Sequence, residues 1–217
     1  MALLSVATLL FGFVLAEPTL GHSQAYNQFM INQTVTAEIS FVTPTNNVTM
    51  DTAIPGITGG TANGATNVRV YTNNNTGYNM TIAASSTPAL QGNYFAGNIP
   101  NYTVGTANTP DYVFSVAANS ARFGYTISAS TTSDLDQKFL DNGSACKTGS
   151  SDTAGSASCW YGLSTTATST INRTTATTAS GATSTIFFRT QIQSNPAPSV
   201  TEDTYTATTT LTATVNP

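Results

Sequence analysis

Apolar and polar residues alternate with a period of two along much of the chain, and no useful stretch after residue 20 repeats at helical spacing. The clearest run is the last. Tyr205, Ala207, Thr209, Leu211, Ala213 and Val215 share one parity, and Thr204, Thr206, Thr208, Thr210, Thr212 and Thr214 share the other. Side chains alternate across a strand, so this run predicts a strand with one mostly apolar face and one row of threonines. A second run begins near residue 29. Phe29, Ile31, Val35, Ala37, Ile39 and Phe41 lie on one face, interrupted only by Gln33. Its thirteen residues would reach about 43 Å, roughly twice an ordinary strand. Such a strand either bends between two sheets or overhangs its own domain.

Shorter alternating runs predict strands near 68–72, 78–84, 112–117, 123–129, 169–172 and 185–192. Between them lie turn-rich stretches such as IPGITGGTANGATN, NNNTGY, STPALQGN and SNPAPS. Only residues 133–140 suggest a helical turn, with Ser133 as its N-cap. The expected fold is all-β, an immunoglobulin-like or jelly-roll β-sandwich over residues 29–217. Ahead of it stand a hydrophobic segment over residues 1–16 and a polar extension over 17–28. The first, MALLSVATLLFGFVLA, is too short as a helix for the ~30 Å hydrocarbon core and ends in small residues, which predicts a signal peptide. A retained helix is the alternative, though Ser5 stands where a type IV pilin usually carries glutamate.

Composition changes the picture in one respect. Only 7% of the 217 residues are charged, where about 25% is usual. The polar surface is left to 42 threonines, 21 serines and 19 asparagines. Ten acidic against six basic residues give a net charge of −4, which argues against nucleic acid as a partner.

Few residues offer chemistry. Cys146 and Cys159 flank small and polar residues, so in an exported protein they are expected to form a structural disulfide. Asp134, Asp136 and Asp141, with Asn142, supply oxygen atoms of the kind calcium takes. Their spacing fits solvated caps and turns better than an EF-hand. Trp160 and Tyr161 offer either a sugar-stacking platform or cover for the disulfide. His22 has no evident partner, and Glu38 and Asp111 form no recognisable catalytic pair. No serine-hydrolase, Cys-His or phosphate-loop motif is present, so no enzymatic activity, metal or cofactor is expected. The two lysines, Lys138 and Lys147, fall in a loop region, which disfavours an isopeptide cross-link.

INQTVTAEISF, TGYNMTIAASSTPAL, DNGSACKTGSSDT followed by CW, and the closing TYTATTTLTATVNP carry a resemblance over most of residues 24–217. The chain resembles a family of Thr-rich secreted proteins of genome-reduced, episymbiotic bacteria. That resemblance implies export and a β-sandwich, and it transfers no functional residue. The expectation is therefore a secreted or cell-surface structural subunit that forms homo-oligomeric filaments. Phe29, Ile31 and Val35 would be its strand-addition contacts. A monomeric adhesion or carbohydrate-binding domain, contacting cell-surface glycans, is the alternative. Membrane contact is expected only through residues 1–16.

Overall fold

Ten strands in antiparallel sheets build the molecule, seen in a computed structural model that describes residues 28–152 and 158–217. The expected leader over residues 1–16, His22, and all but the last residue of the polar extension lie outside the described residues. The chain divides into Met1–Val35 and Thr36–Pro217, and the fold belongs to the second unit. One sheet has the order β1(Ile39–Thr43), β2(Gly60–Thr72), β8(Ala182–Ile192), β6(Ala121–Ala129). The second has the order β10(Thr209–Val215), β3(Tyr78–Ala84), β7(Thr168–Arg173). A small third sheet joins β5(Asn98–Ile99), β4(Leu90–Gly92) and β9(Tyr205–Thr206). The architecture is an all-β sandwich.

Parity explains the core. Along β8 every second residue from Ala182 to Ile192 is buried, and along β3 the same holds from Tyr78 to Ala84. Val68 and Val70 of β2, Tyr125 and Ile127 of β6, Met80 and Ile82 of β3 and Ile171 of β7 form one continuous cluster. Threonines enter this core because their hydroxyls find backbone carbonyls: Thr72 donates to Glu38, Thr126 to Ser158 and Thr170 to Met80. Each of these three threonine hydroxyls is thereby satisfied, which removes most of the penalty for burying it.

A second, smaller cluster sits on the other face of the β6–β8 pair. Tyr102, Phe114, Val116 and Trp160 pack there with Phe187. Phe114 stacks on Tyr102 with ring centroids 4.4 Å apart and meets Trp160 edge-on at 5.1 Å. This is why residues 112–117, expected as a strand, form none. Their alternation comes from a loop that drops Phe114 and Val116 onto a sheet face.

Three other expectations need correction. Of the strand expected over 29–41, only β1 from Ile39 onward is a strand, and residues 28–38 belong to none. The longest strand is instead β2, whose first half had read as a turn-rich connection. Gly64 explains its concealment. A Cβ there would lie 2.5 Å from Val48 Cγ1 and 3.0 Å from Met50 Sδ, because the preceding loop presses on the bare backbone. In place of one helical turn capped by Ser133 there are two short 3₁₀ turns, Thr132–Asp134 and Gln137–Phe139. Asp136 caps the second of them, and Ser133 lies inside the first.

Candidate functional site

Cys146 and Cys159 are bonded, with Cα atoms 5.6 Å apart. Both are buried. Trp160 follows directly, yet it offers no ring face to a ligand, since its exposure is 0%. The Arg189 guanidinium lies 4.4 Å from the indole centroid, and Arg189 Nε donates to Asn63. Burial lowers the Arg189 pKa from its usual value. Tyr161 is half-buried, bridges to Tyr125 of β6 and carries Lys138 Nζ 5.7 Å from its ring centroid. Of the two readings of Trp160 and Tyr161, packing is the one the geometry fits: Trp160 fills the outer cluster on β6 and β8, and Tyr161 packs against the main core.

The acidic residues are also apart in function. Asp134 pairs with Arg173 at 2.5 Å, and both side chains are largely buried. Asp136 accepts the Lys138 amide, and Asp141 accepts the Gly143 amide. These carboxylates fix separate turns, and no group of three His, Cys, Asp or Glu suited to a metal ion occurs among the described residues. The caps and turns favoured over calcium fit Asp136 and Asp141, but Asp134 and Asp141 are buried, not solvated. Asp111 accepts from the Tyr102 hydroxyl at 2.8 Å and from the Gly105 amide, so it too braces a loop. Burial first, and then Asp111, push the Tyr102 pKa up to about 12, against the opposing Ser115 amide.

Two of the surface clefts lie beside residues already named. One of about 250 Å³ lies between Asp51, Asn63 and the Trp160–Phe187 wall. The other, about 210 Å³, lies beside Arg173 and Thr177. The first holds one carboxylate, Asp51, and the second none.

What remains exposed is more informative. Phe29, Ile31 and Val35 are open to solvent, Ile31 by 83%. The segment that carries them, Gln28–Ala37, has no charged residue. On β10 the expected parity holds in part. Thr210, Thr212 and Thr214 are exposed, but Leu211 and Ala213 are only half-buried and Val215 is 37% exposed. A third exposed feature had no signal in the alternation. Tyr94 and Phe95 stand 81% and 62% exposed on a tight loop. The Asp203 carboxylate holds that loop by accepting the amides of Tyr94, Phe95 and Thr204.

Comparison with family models, curated proteins and solved structures finds no match to this chain.

Proposed function

We propose that the chain is an exported structural protein of the cell surface, a pilin-like or fibre-forming subunit that assembles by β-strand addition. The observation that carries this reading is the segment Gln28–Val35. It keeps strand periodicity, shows its apolar residues to solvent, and has no partner strand among the described residues. An apolar, uncharged extended segment adds readily to a sheet edge, where main-chain hydrogen bonds supply affinity and alternate side chains supply specificity. Repeated head to tail, such a contact does not close and gives a fibre. The buried disulfide supports folding in an oxidising compartment. Electron microscopy and sedimentation of the full chain test the proposal. Fibres or concentration-dependent oligomers are expected, and single particles at millimolar concentration would overturn it.

The exposed pair Tyr94 and Phe95 favours a second reading, a monomeric adhesion domain that stacks aromatic rings on surface glycans. That reading predicts single particles that bind a polysaccharide column and lose binding in a Tyr94→Ala, Phe95→Ala variant.

A further inference from the structure

We infer that the outer edge of β10 is the acceptor for the Phe29–Val35 segment of a second copy, an inference that rests on the strand-addition reading above. Thr208 accepts the Ser85 amide at 2.9 Å and the Asn216 amide donates to Gly77 at 3.1 Å, just beyond the two ends of the strand. The register against β3 is continuous from Thr209 opposite Ala84 to Val215 opposite Tyr78. Residues in an antiparallel ladder alternate between those bonded to the partner and those whose N–H and C=O point away. The even-numbered residues of β10 therefore face β3. Thr209, Leu211, Ala213 and Val215 turn their amides and carbonyls outward, and β10 ends its sheet.

The other long edges are partly covered. Tyr161 and Asn101 bridge to β6, and Leu135 bridges to Ile171 of β7. β1 is only five residues long and its register is broken by a bulge. Exposed edges are normally protected by charge, proline, a bulge or brevity. β10 has none of these: its seven residues carry no charge, no proline and no shift of register.

The side chains match the backbone. The residues whose amides face outward also carry the half-covered apolar row Leu211, Ala213 and Val215. The adjacent β1 leaves Phe41 and Val42 exposed. A strand laid along β10 would place Phe29, Ile31 and Val35 beside that row. It would also place Asn32 and Thr34 beside Thr210, Thr212 and Thr214, on the polar face. The seven residues Phe29–Val35 span about 23 Å when extended, as do the seven of β10, so the lengths agree.

A second copy is the better donor. Asn73 pins the base of the segment, accepting the Glu38 amide and donating to the Thr36 carbonyl. The Asn73–Gly77 turn is also where β10 ends, with Asn74 donating to the Asn216 carbonyl. Phe29, Ile31 and Val35 stay exposed in their own chain, so they are left to a second copy's β10 edge.

Hydrogen exchange on the full chain, dilute and concentrated, tests the assignment. At assembling concentrations the amides of Leu211, Ala213 and Val215 should exchange at least tenfold more slowly than in the dilute chain. Ile31→Asp should abolish that slowing. Ala213→Pro should also prevent assembly. It removes an outward donor while the bonds of Thr212 and Thr214 to β3 remain, and edge strands tolerate proline at such a position. If Ala213→Pro fails to fold, the exchange pattern of the unsubstituted chain still decides. Assembly that Ile31→Asp abolishes, but that leaves the β10 amides unprotected, would overturn the acceptor and leave strand addition standing. A chain that stays monomeric when concentrated would overturn both.

Discussion

Replacing Arg173 with methionine tests how much of this low-charge fold depends on one buried ion pair. The Arg173 guanidinium donates to Asp134 at 2.5 Å, to the Thr175 carbonyl at 2.9 Å and to the Ala176 carbonyl at 2.9 Å. Methionine keeps much of the apolar stem and removes all three donors. The Thr175 carbonyl lies in an exposed turn where water substitutes, so its loss contributes little. Asp134 is different, because the residue is only 7% exposed. Leaving one charge of a buried pair without its partner costs about 3–5 kcal/mol, a large share of the 5–15 kcal/mol typical of a domain. Urea unfolding followed by circular dichroism, with linear extrapolation, measures the loss. The double variant Arg173→Met, Asp134→Leu should recover to within about 1 kcal/mol of the parent, because no charge is then stranded. If the single variant loses less than about 1 kcal/mol, or the double variant recovers nothing, stranding of a buried carboxylate is not what the pair prevents. The pair also holds the Thr132–Asp134 turn against β7, next to the Leu135 bridge that partly covers that edge. Its loss should accelerate hydrogen exchange at Asp136, whose amide donates to Thr170.

Three further outcomes follow from single features. Cys146→Ser with Cys159→Ser should lower stability by about 2–4 kcal/mol through the freed loop, and peptide mass spectrometry without reductant should find the two cysteines linked. Partial burial alone would raise the Asp203 carboxyl, but the amides of Phe95, Tyr94, Thr204 and Asn93 together hold it below the ordinary carboxylate range. Its contribution to the Tyr94–Phe95 loop is therefore complete above about pH 4, the unfolded value, and is lost as pH falls through the lower folded value. The Tyr94 and Phe95 amides should exchange faster below that point, while Asp203→Asn should weaken the loop at neutral pH as well. Gly124→Ala should destabilise by about 1–3 kcal/mol in the same urea assay, since the new Cβ would meet Tyr102 Cβ at 2.8 Å and the Tyr161 carbonyl at 2.9 Å.

Alternation located β3, β6, β7, β8 and β10 to within a few residues because each buries one face against the same core. It failed where burial was achieved without an apolar side chain. Gly64 and Asn63 sit in β2 under a covering loop, so composition there resembles a turn although the backbone is fully laddered to β8. It failed in the opposite sense at Tyr112–Ala117, where Phe114 and Val116 alternate to fill the outer cluster rather than to pair. The disulfide was readable because only two cysteines exist, and their neighbours are small. The brace of Arg173 on Asp134 was not, since the partners lie 39 residues apart and nothing local marks them. The open edge of β10 lay between these cases. Its two faces are written in the sequence, whereas its position at the end of a sheet depends on which strands pair, and that is a property of the whole chain.

The use of charge bears on assembly as well as on stability. Arg173 with Asp134, Arg189 over Trp160, Asp111 under Tyr102 and Asp203 under Tyr94 each fix a loop, and none lies on β10 or on Gln28–Ala37. Contact between the proposed strands is thus built from backbone hydrogen bonds and apolar burial, neither of which counterions screen. A net charge of −4 on each copy adds only a weak repulsion, which salt relieves. Raising sodium chloride from about 0.05 to 0.5 M should therefore leave the association constant unchanged or raise it slightly, as read by sedimentation equilibrium. Charge-paired interfaces respond in the opposite direction, because the Debye length falls from roughly 14 Å to about 4 Å over that range. A tenfold loss of association with salt would place the contact on the charged loops and away from the uncharged strands.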